Sequence, residues 1–263
     1  MRDLSNKNII QINKDGLIYI QFKKLLDLGI KHSYSLKNEK MDIRKKGGNP
    51  ETEKESYKRL CEAVGLNVEN LSRPDQQHTD KVEIIKEVQK KEELKNIDGL
   101  ITNQKNIVLA TTNADCILYL VYDPKNKVIA NVHSGWRGTY QRIIEKTIDK
   151  MISEFGSNPE DIIICICPSI RRCCFEVDKD VKDMFQEKFS FLENIEKFIV
   201  NGYVENKFYI DTVGINNCLL QNKGIKKENI YDSGICSVCN SDLVHSYRVE
   251  KNEFKLATAI ISL

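Results

Sequence analysis

Histidine is scarce in this 263-residue chain, with only His32, His78, His133 and His245, so each one is worth placing. Neither sign of charge dominates. Forty Lys and Arg against thirty-eight Asp and Glu leave a formal net charge of +2, mixed along the chain, which removes the electrostatic case for nucleic acid or a membrane as the main partner. No apolar run approaches the roughly 20 residues that cross a bilayer, and the first ten residues are polar, so the expected compartment is the cytoplasm. There is also no internal repeat, no low-complexity tract and no linker rich in Pro, Gly or Ser. One domain over residues 1–263, acting as a monomer, is the expectation. What the chain does have is a hydrophobic fraction of 41%, enough for a sizeable core, and nine cysteines. An odd number of thiols without a secretory signal points to reduced cysteines or metal ligands rather than a disulfide framework.

The apolar segments mix strand and helix signals without the regular alternation of a doubly wound sheet. Residues 9–12 and 17–22 flank Asn13-Lys14-Asp15-Gly16 and predict a hairpin. Lys31-His32-Ser33-Tyr34-Ser35 is too polar for a core strand, and the basic, glycine-containing loop that follows, up to Gly48, is expected to be mobile. Asn49-Pro50-Glu51 opens a helix that carries Tyr57, Leu60, Cys61 and Val64 on one face. Short strands follow at 82–85, 98–102 and 107–112, the last two around a turn, with a solvated helix or connector at 86–95. Residues 117–122 and 128–132 predict an antiparallel pair around Asp123-Pro124-Lys125-Asn126. Tyr140, Ile144, Ile148, Met151 and Phe155 mark one continuous helix stopped by Gly156. Beyond it come a buried strand at 161–167, helices around 181–189 and 211–224, and strands at 208–210, 230–231, 244–249 and 254–261. The expected fold class is α+β, a single-domain layered fold with mixed β-sheets flanked by helices.

Three good metal ligands lie at strand ends: His78, Cys116 and His133. Zinc takes neutral imidazole and thiolate, and three protein ligands with a fourth position for water is the arrangement of a catalytic site. The three are too far apart in sequence for spacing to be diagnostic. The bland alternative is a solvated loop histidine, a small core cysteine and a strand-end hydrogen bonder. Gly135-Trp136-Arg137-Gly138-Thr139 adds a glycine-flanked turn into a helix, where backbone N–H groups and the Arg137 guanidinium suit an anion; the alternative is an ordinary turn with Trp136 as a core plug. Asp115 reads first as a carboxylate that positions its neighbours, because adjacent side chains in an extended segment face opposite ways. Cys165 and Cys167 share one face of a strand. Cys236-Ser237-Val238-Cys239 has no second CxxC partner, and Cys173-Cys174 suggests no mechanism alone. Arg248, after Ser246-Tyr247, is a second candidate anion contact.

Asp98-Gly99, Ala114-Asp115-Cys116, the run from Val132-His133 through Gly135-Trp136-Arg137-Gly138-Thr139, Pro168-Ser169-Ile170 with Cys173-Cys174-Phe175-Glu176-Val177, and Ser246-Tyr247-Arg248 together resemble the YfiH family. Its members were long called multicopper polyphenol oxidases or laccase-domain proteins and are now described as purine nucleoside phosphorylases. The resemblance implies a layered single domain and a zinc site formed by His78 of Gln76-Gln77-His78, Cys116 and His133. It implies phosphorolysis of adenosine, inosine, guanosine and methylthioadenosine, with zinc-assisted deamination of adenosine. Purine nucleoside and phosphate are the expected partners. Cys116, His133 and Arg137 would be catalytic, and Arg137, Gly138 and Arg248 would contact substrate.

The chain departs from the family at Asn113, Cys167 and Arg171-Arg172, and lacks the Thr-Gly-Arg near the family's C-terminus. None of these removes a metal ligand. A laccase label is hard to support, since one His-Cys-His triplet cannot supply several copper centres. Two other classes stay open: a cysteine hydrolase with Cys116 as nucleophile and His133 or His78 as base, acting on a peptidoglycan precursor, and a non-catalytic redox or metal-binding module.

Overall fold

The computed structural model describes residues 2–44 and 47–263. The loop expected to be mobile falls partly on residues 45 and 46, outside the described residues. The chain opens with strands Ile9–Lys14 and Leu17–Phe22, paired with Lys14 opposite Leu17. Asp15 and Gly16 both have positive φ, 53° and 83°, which is the tight hairpin turn whose twist matches that of the strands.

Two six-stranded mixed sheets form the body. The first runs Ile9–Lys14, Leu17–Phe22, Lys31–Ser35, Ala257–Ser262, Val108–Asn113 and Leu71–Ser72, antiparallel except for the last pair. The second runs Ile230–Asp232, Ile163–Ile166, Ile117–Asp123, Val128–Ser134, Gly99–Thr102 and Val82–Ile84, with a parallel pair at each edge. Alternation along the strands sorts their side chains into layers. Leu118, Leu120 and Tyr122 join Leu109, Ala259 and Ile261 in the core between the sheets. Their neighbours Ile117, Tyr119 and Val121 face the other way, against helices Ile143–Phe155 and Thr212–Asn222. On the far side of the first sheet, Val108, Ala110 and Ile260 pack under helix Pro50–Ala63 through Tyr57, Leu60 and Cys61. The order is therefore helix, sheet, sheet, helices. A small sheet of Glu176–Asp178, Lys207–Ile210 and Ile199–Asn201 packs with helix Lys179–Lys188 around Phe185 and Phe189. Among the described residues no helix is long and apolar enough to cross a membrane.

The helix at Pro50–Ala63 is capped as expected, with the Asn49 side chain accepting from the N–H groups of Glu51 and Thr52. Several other expectations are corrected. Lys31–Ser35 is a buried central strand, and its His32 and Tyr34 side chains find partners inside the core, whereas the Ser33 hydroxyl is buried without one among the described residues. His32 Nε2 accepts from the Phe22 N–H at 2.7 Å while Nδ1 donates to the Ile30 carbonyl at 2.9 Å, and the Tyr34 hydroxyl donates to Asn113 at 3.0 Å. That pairing fixes His32 as a neutral tautomer, and burial lowers its pKa to about 4. Strands Gly99–Thr102 and Val108–Asn113 do not pair with each other but enter opposite sheets. Residues 86–95 carry only the single turn Lys91–Glu93, and residues 247–250 form the short helix Tyr247–Glu250 rather than a strand. The continuous helix from Tyr140 is broken: Trp136–Tyr140 is one turn, Arg142 adopts left-handed geometry at φ 63°, and the long helix begins at Ile143.

Candidate metal centre

The crossing from the first sheet to the second builds one side of the site. Strand Val108–Asn113 ends in the first sheet, and within three residues the chain enters the second as Ile117–Asp123. Asp115 makes the bend at φ 83°, a left-handed conformation that costs free energy for a residue with a Cβ and needs holding. Its carboxylate accepts from Ser237 Oγ at 2.5 Å and from the Arg248 N–H at 2.8 Å, and its carbonyl accepts from the Ile170 N–H at 2.8 Å. Asn113 Nδ2 donates to the carbonyls of Cys116 and Pro168. Asp115 is thus committed to fixing the turn that presents Cys116.

His133 sits opposite Leu118 in the hairpin register, so it lies beside the strand that Cys116 leads into. His78 arrives on a loop and has a positive φ of 61°. The loop is pinned first by Gln76, whose side-chain amide imitates a strand neighbour: Nε2 donates to the Thr112 carbonyl and Oε1 accepts from the Thr112 N–H, both at 2.8 Å.

Asp98 then ties loop to strand. It is fully buried, and its carboxylate accepts from the N–H groups of Gln77, His78 and Thr79 at 3.2, 3.0 and 2.7 Å, and from Thr79 Oγ1 at 2.7 Å. Its Oδ1 also accepts from His133 Nδ1 at 2.8 Å. Burial alone would raise its pKa, but His133 and Thr79 outweigh that and hold it at about 2. With Nδ1 committed to the carboxylate, His133 presents Nε2, the arrangement by which a carboxylate orients a metal-binding imidazole.

The ligand atoms of His78, Cys116 and His133 all lie within 4.8 Å of one another, with Cys116 Sγ 3.8 Å from His78 Nε2. Tetrahedral zinc at its usual bond lengths separates a thiolate sulfur from an imidazole nitrogen by about 3.6 Å. His78 and Cys116 are half-buried, which leaves one side open. Burial disfavours both charged forms, yet His133 and His78 draw the Cys116 thiol down to about 6, and the Cys116 thiolate with Asp98 lifts His133 to about 9. The cluster is built to hold positive charge against a thiolate. Gly135 makes room for it, because a Cβ there would lie 2.7 Å from His78 Cδ2 and 3.1 Å from Cys116 Sγ. One thiolate and two imidazoles, one of them oriented by a carboxylate, fit zinc.

Arg137 is exposed and stacks on Trp136 at 4.2 Å, and among the described residues its guanidinium has no hydrogen-bonded partner. Trp136 itself packs towards Phe185, as a core plug would. Gly138 is buried against Ser134, Ile143 and Thr79. Arg248 is exposed, donating to the Glu176 carbonyl at 2.8 Å beside the Phe175 ring. The expected anion cradle loses its long helix, since the turn leads into five helical residues only. His32 and His245 stay apart from the triad; His245 Nδ1 faces Glu250 at 3.2 Å. Cys236 and Cys239 are not a lone pair, because Cys173 and Cys174 converge on them.

A family model described as multi-copper polyphenol oxidoreductase laccase matches residues 32–262. The chain belongs to this family. Its YfiH-like character extends to the fold: the crystal structure of YfiH from Bacillus licheniformis superposes with a TM-score of 0.86 at 23% identity, covering 96% of this chain and 98% of that one. The mouse purine nucleoside phosphorylase LACC1 is 30% identical over 213 residues, 80% of this chain and 47% of that protein. This YfiH-family chain therefore spans about half the length of its mouse relative. Adenosine deaminase RL5, from an unknown prokaryotic organism, is 30% identical over 196 residues, 72% of this chain and 73% of its own.

The residue that sequence reasoning passed over is Asp98, noted only as part of an Asp-Gly pair. A buried aspartate at a strand entrance, two dozen residues or fewer from a loop histidine, carried no signal without knowledge that the His78 loop folds back onto it.

Proposed function

We propose that the chain is a zinc-dependent purine nucleoside phosphorylase that also deaminates adenosine, with inosine, guanosine and methylthioadenosine as further substrates of phosphorolysis. The observation that carries this is the convergence of His78, Cys116 and His133 on one centre with Asp98 behind it, in a chain whose relatives are named for these two activities. His78, Cys116 and His133 would hold the metal. Zinc held by three protein ligands supplies Lewis acidity at its open position. Asp98 keeps His133 in the metal-binding tautomer, Asp115 keeps Cys116 presented, and Gly135 keeps the space between them clear. Arg137, whose planar cation has no hydrogen-bonded partner among the described residues and stacks on Trp136, would take phosphate, with Gly138 in the same turn and Arg248 completing the substrate contacts. The chain would work as one catalytic domain, since residues from Ile9 to Ile261 share the central core. Its free cysteines suit a reducing cytoplasm.

The test is product analysis from adenosine with and without phosphate. Adenine with ribose 1-phosphate should form only when phosphate is present, and inosine with ammonia in either case. Wild-type protein that yields neither adenine nor inosine would sink the proposal.

One observation favours a second function. Cys116, His133 and Asp98 also have the order of a cysteine nucleophile, its base and the carboxylate that orients the base. A cysteine hydrolase would keep its activity in the presence of a strong chelator, whereas the zinc enzyme would lose it.

A further inference from the structure

Away from the triad, four thiols meet at the edge of the molecule, with Cys173 and Cys239 exposed, Cys174 half-buried and Cys236 buried. Cys173 and Cys174 are adjacent and in a strand would face opposite sides. Here they lie in a turn, with the N–H groups of Cys174 and Phe175 both donating to the Arg171 carbonyl at 2.9 Å, and both sulfurs reach Cys239. Cys236 and Cys239 occupy a second turn, closed by Asn240, whose backbone N–H and Nδ2 donate to the Cys236 carbonyl at 3.1 and 2.8 Å. The two turns are held in register independently of the sulfurs. Ser169 N–H donates to the Ile235 carbonyl, Ser237 N–H donates to the Ser169 carbonyl, and Arg171 makes a two-pronged contact with Asp232 at 2.7 Å on each arm.

The sulfur geometry discriminates between chemistries. A disulfide needs about 2.05 Å between sulfurs, whereas Cys239 Sγ lies 3.5 Å from Cys174 Sγ and 3.8 Å from Cys173 Sγ. All four sulfurs lie within 4.8 Å of one another. Zinc bonded to four thiolates at about 2.3 Å spaces them about 3.8 Å apart. Four soft donors with no oxygen or nitrogen ligand among them select zinc over the harder divalent ions.

We propose that Cys173, Cys174, Cys236 and Cys239 form a second zinc site, a closed tetrathiolate centre that staples the 171–174 turn to the 236–239 turn. Its role is structural, because four protein ligands leave no position for substrate. The same two segments carry Ile170 and Ser237, which hold the strained Asp115. The second metal would therefore stiffen the wall behind Cys116 without touching the reacting atoms. This site is independent of what the triad does.

The test is metal analysis of the full chain purified without chelator. Wild type should carry two zinc ions, Cys116→Ala one, the double variant Cys173→Ser/Cys239→Ser one, and the combination none. Cobalt loaded into the Cys116→Ala protein should show the thiolate-to-cobalt charge-transfer bands of a tetrahedral all-sulfur site, lost in Cys239→Ser and kept, with altered intensity, in Cys239→His, which still offers a ligand. Equal zinc content in wild type and the double variant would overturn the proposal. So would a thiol count in denaturant without reductant that falls two or four short of nine, since the tetrad would then be oxidised.

Discussion

Asp98 and His133 are joined by a 2.8 Å hydrogen bond from the imidazole Nδ1 to a carboxylate that also gathers three successive backbone N–H groups around His78. One buried carboxylate therefore sets the tautomer of one candidate metal ligand and the backbone position of another. Asp98→Asn keeps the shape but loses the charge. Zinc affinity at the triad, measured by chelator competition, should fall by about 10–100-fold, while far-ultraviolet circular dichroism stays close to wild type. Unchanged affinity would remove Asp98 from the account.

Gly135 is a matter of space rather than backbone freedom. In Gly135→Ala the new methyl would meet His78 and Cys116 at 2.7 and 3.1 Å. The rings and sulfur must move apart, at a cost of about 1–3 kcal/mol. Zinc stoichiometry at the triad should drop, together with a lower thermal midpoint.

Arg137→Ala separates phosphate binding from folding. The side chain is exposed and has no internal hydrogen bond among the described residues, so stability should change by less than about 0.5 kcal/mol. If it holds phosphate, the KM for phosphate in phosphorolysis should rise at least about 10-fold, which corresponds to one lost charged contact of about 1.4 kcal/mol. Inosine formation without phosphate should be unaffected.

His32 gives a pH dependence remote from the His78, Cys116 and His133 cluster. Its folded pKa is lowered to about 4 from an ordinary 6.5, because burial and the Phe22 N–H require the neutral ring. The unfolded state then binds the proton first. Stability is full above about pH 6.5 and is lost as the pH falls towards 4, by about 3 kcal/mol in all. Imidazole resonances followed by NMR should show His32 titrating well below pH 5. A midpoint near 6.5 would contradict the buried, doubly bonded ring.

Much of this architecture was legible because it is periodic. The 9–22 hairpin, the Asn49 cap and the antiparallel pair around Asp123-Pro124-Lys125-Asn126 depend on neighbours in sequence, and they stand where local rules place them. The triad was reachable from residue chemistry at strand ends and from the family motif. What escaped depends on distant partners. Lys31–Ser35 looked too polar because its satisfying groups, the Phe22 N–H and Asn113, lie on other strands. Asp98 looked ordinary because its partners come from the His78 loop and the His133 strand. The four-cysteine cluster was hidden for the same reason: its halves are some sixty residues apart, and long-range contacts such as the Arg171–Asp232 pair and the Ser169 pairing bring them together.

In the proposed function, zinc at His78, Cys116 and His133 would carry the nucleoside chemistry. The most direct measurement follows adenosine consumption by metal-stripped protein as zinc is titrated back, using the Cys173→Ser/Cys239→Ser background so that only the triad fills. Activity should rise in proportion to bound zinc, saturate at one equivalent, and stay absent in the same background carrying Cys116→Ala. Full adenosine turnover by the stripped protein before any zinc is added would contradict it.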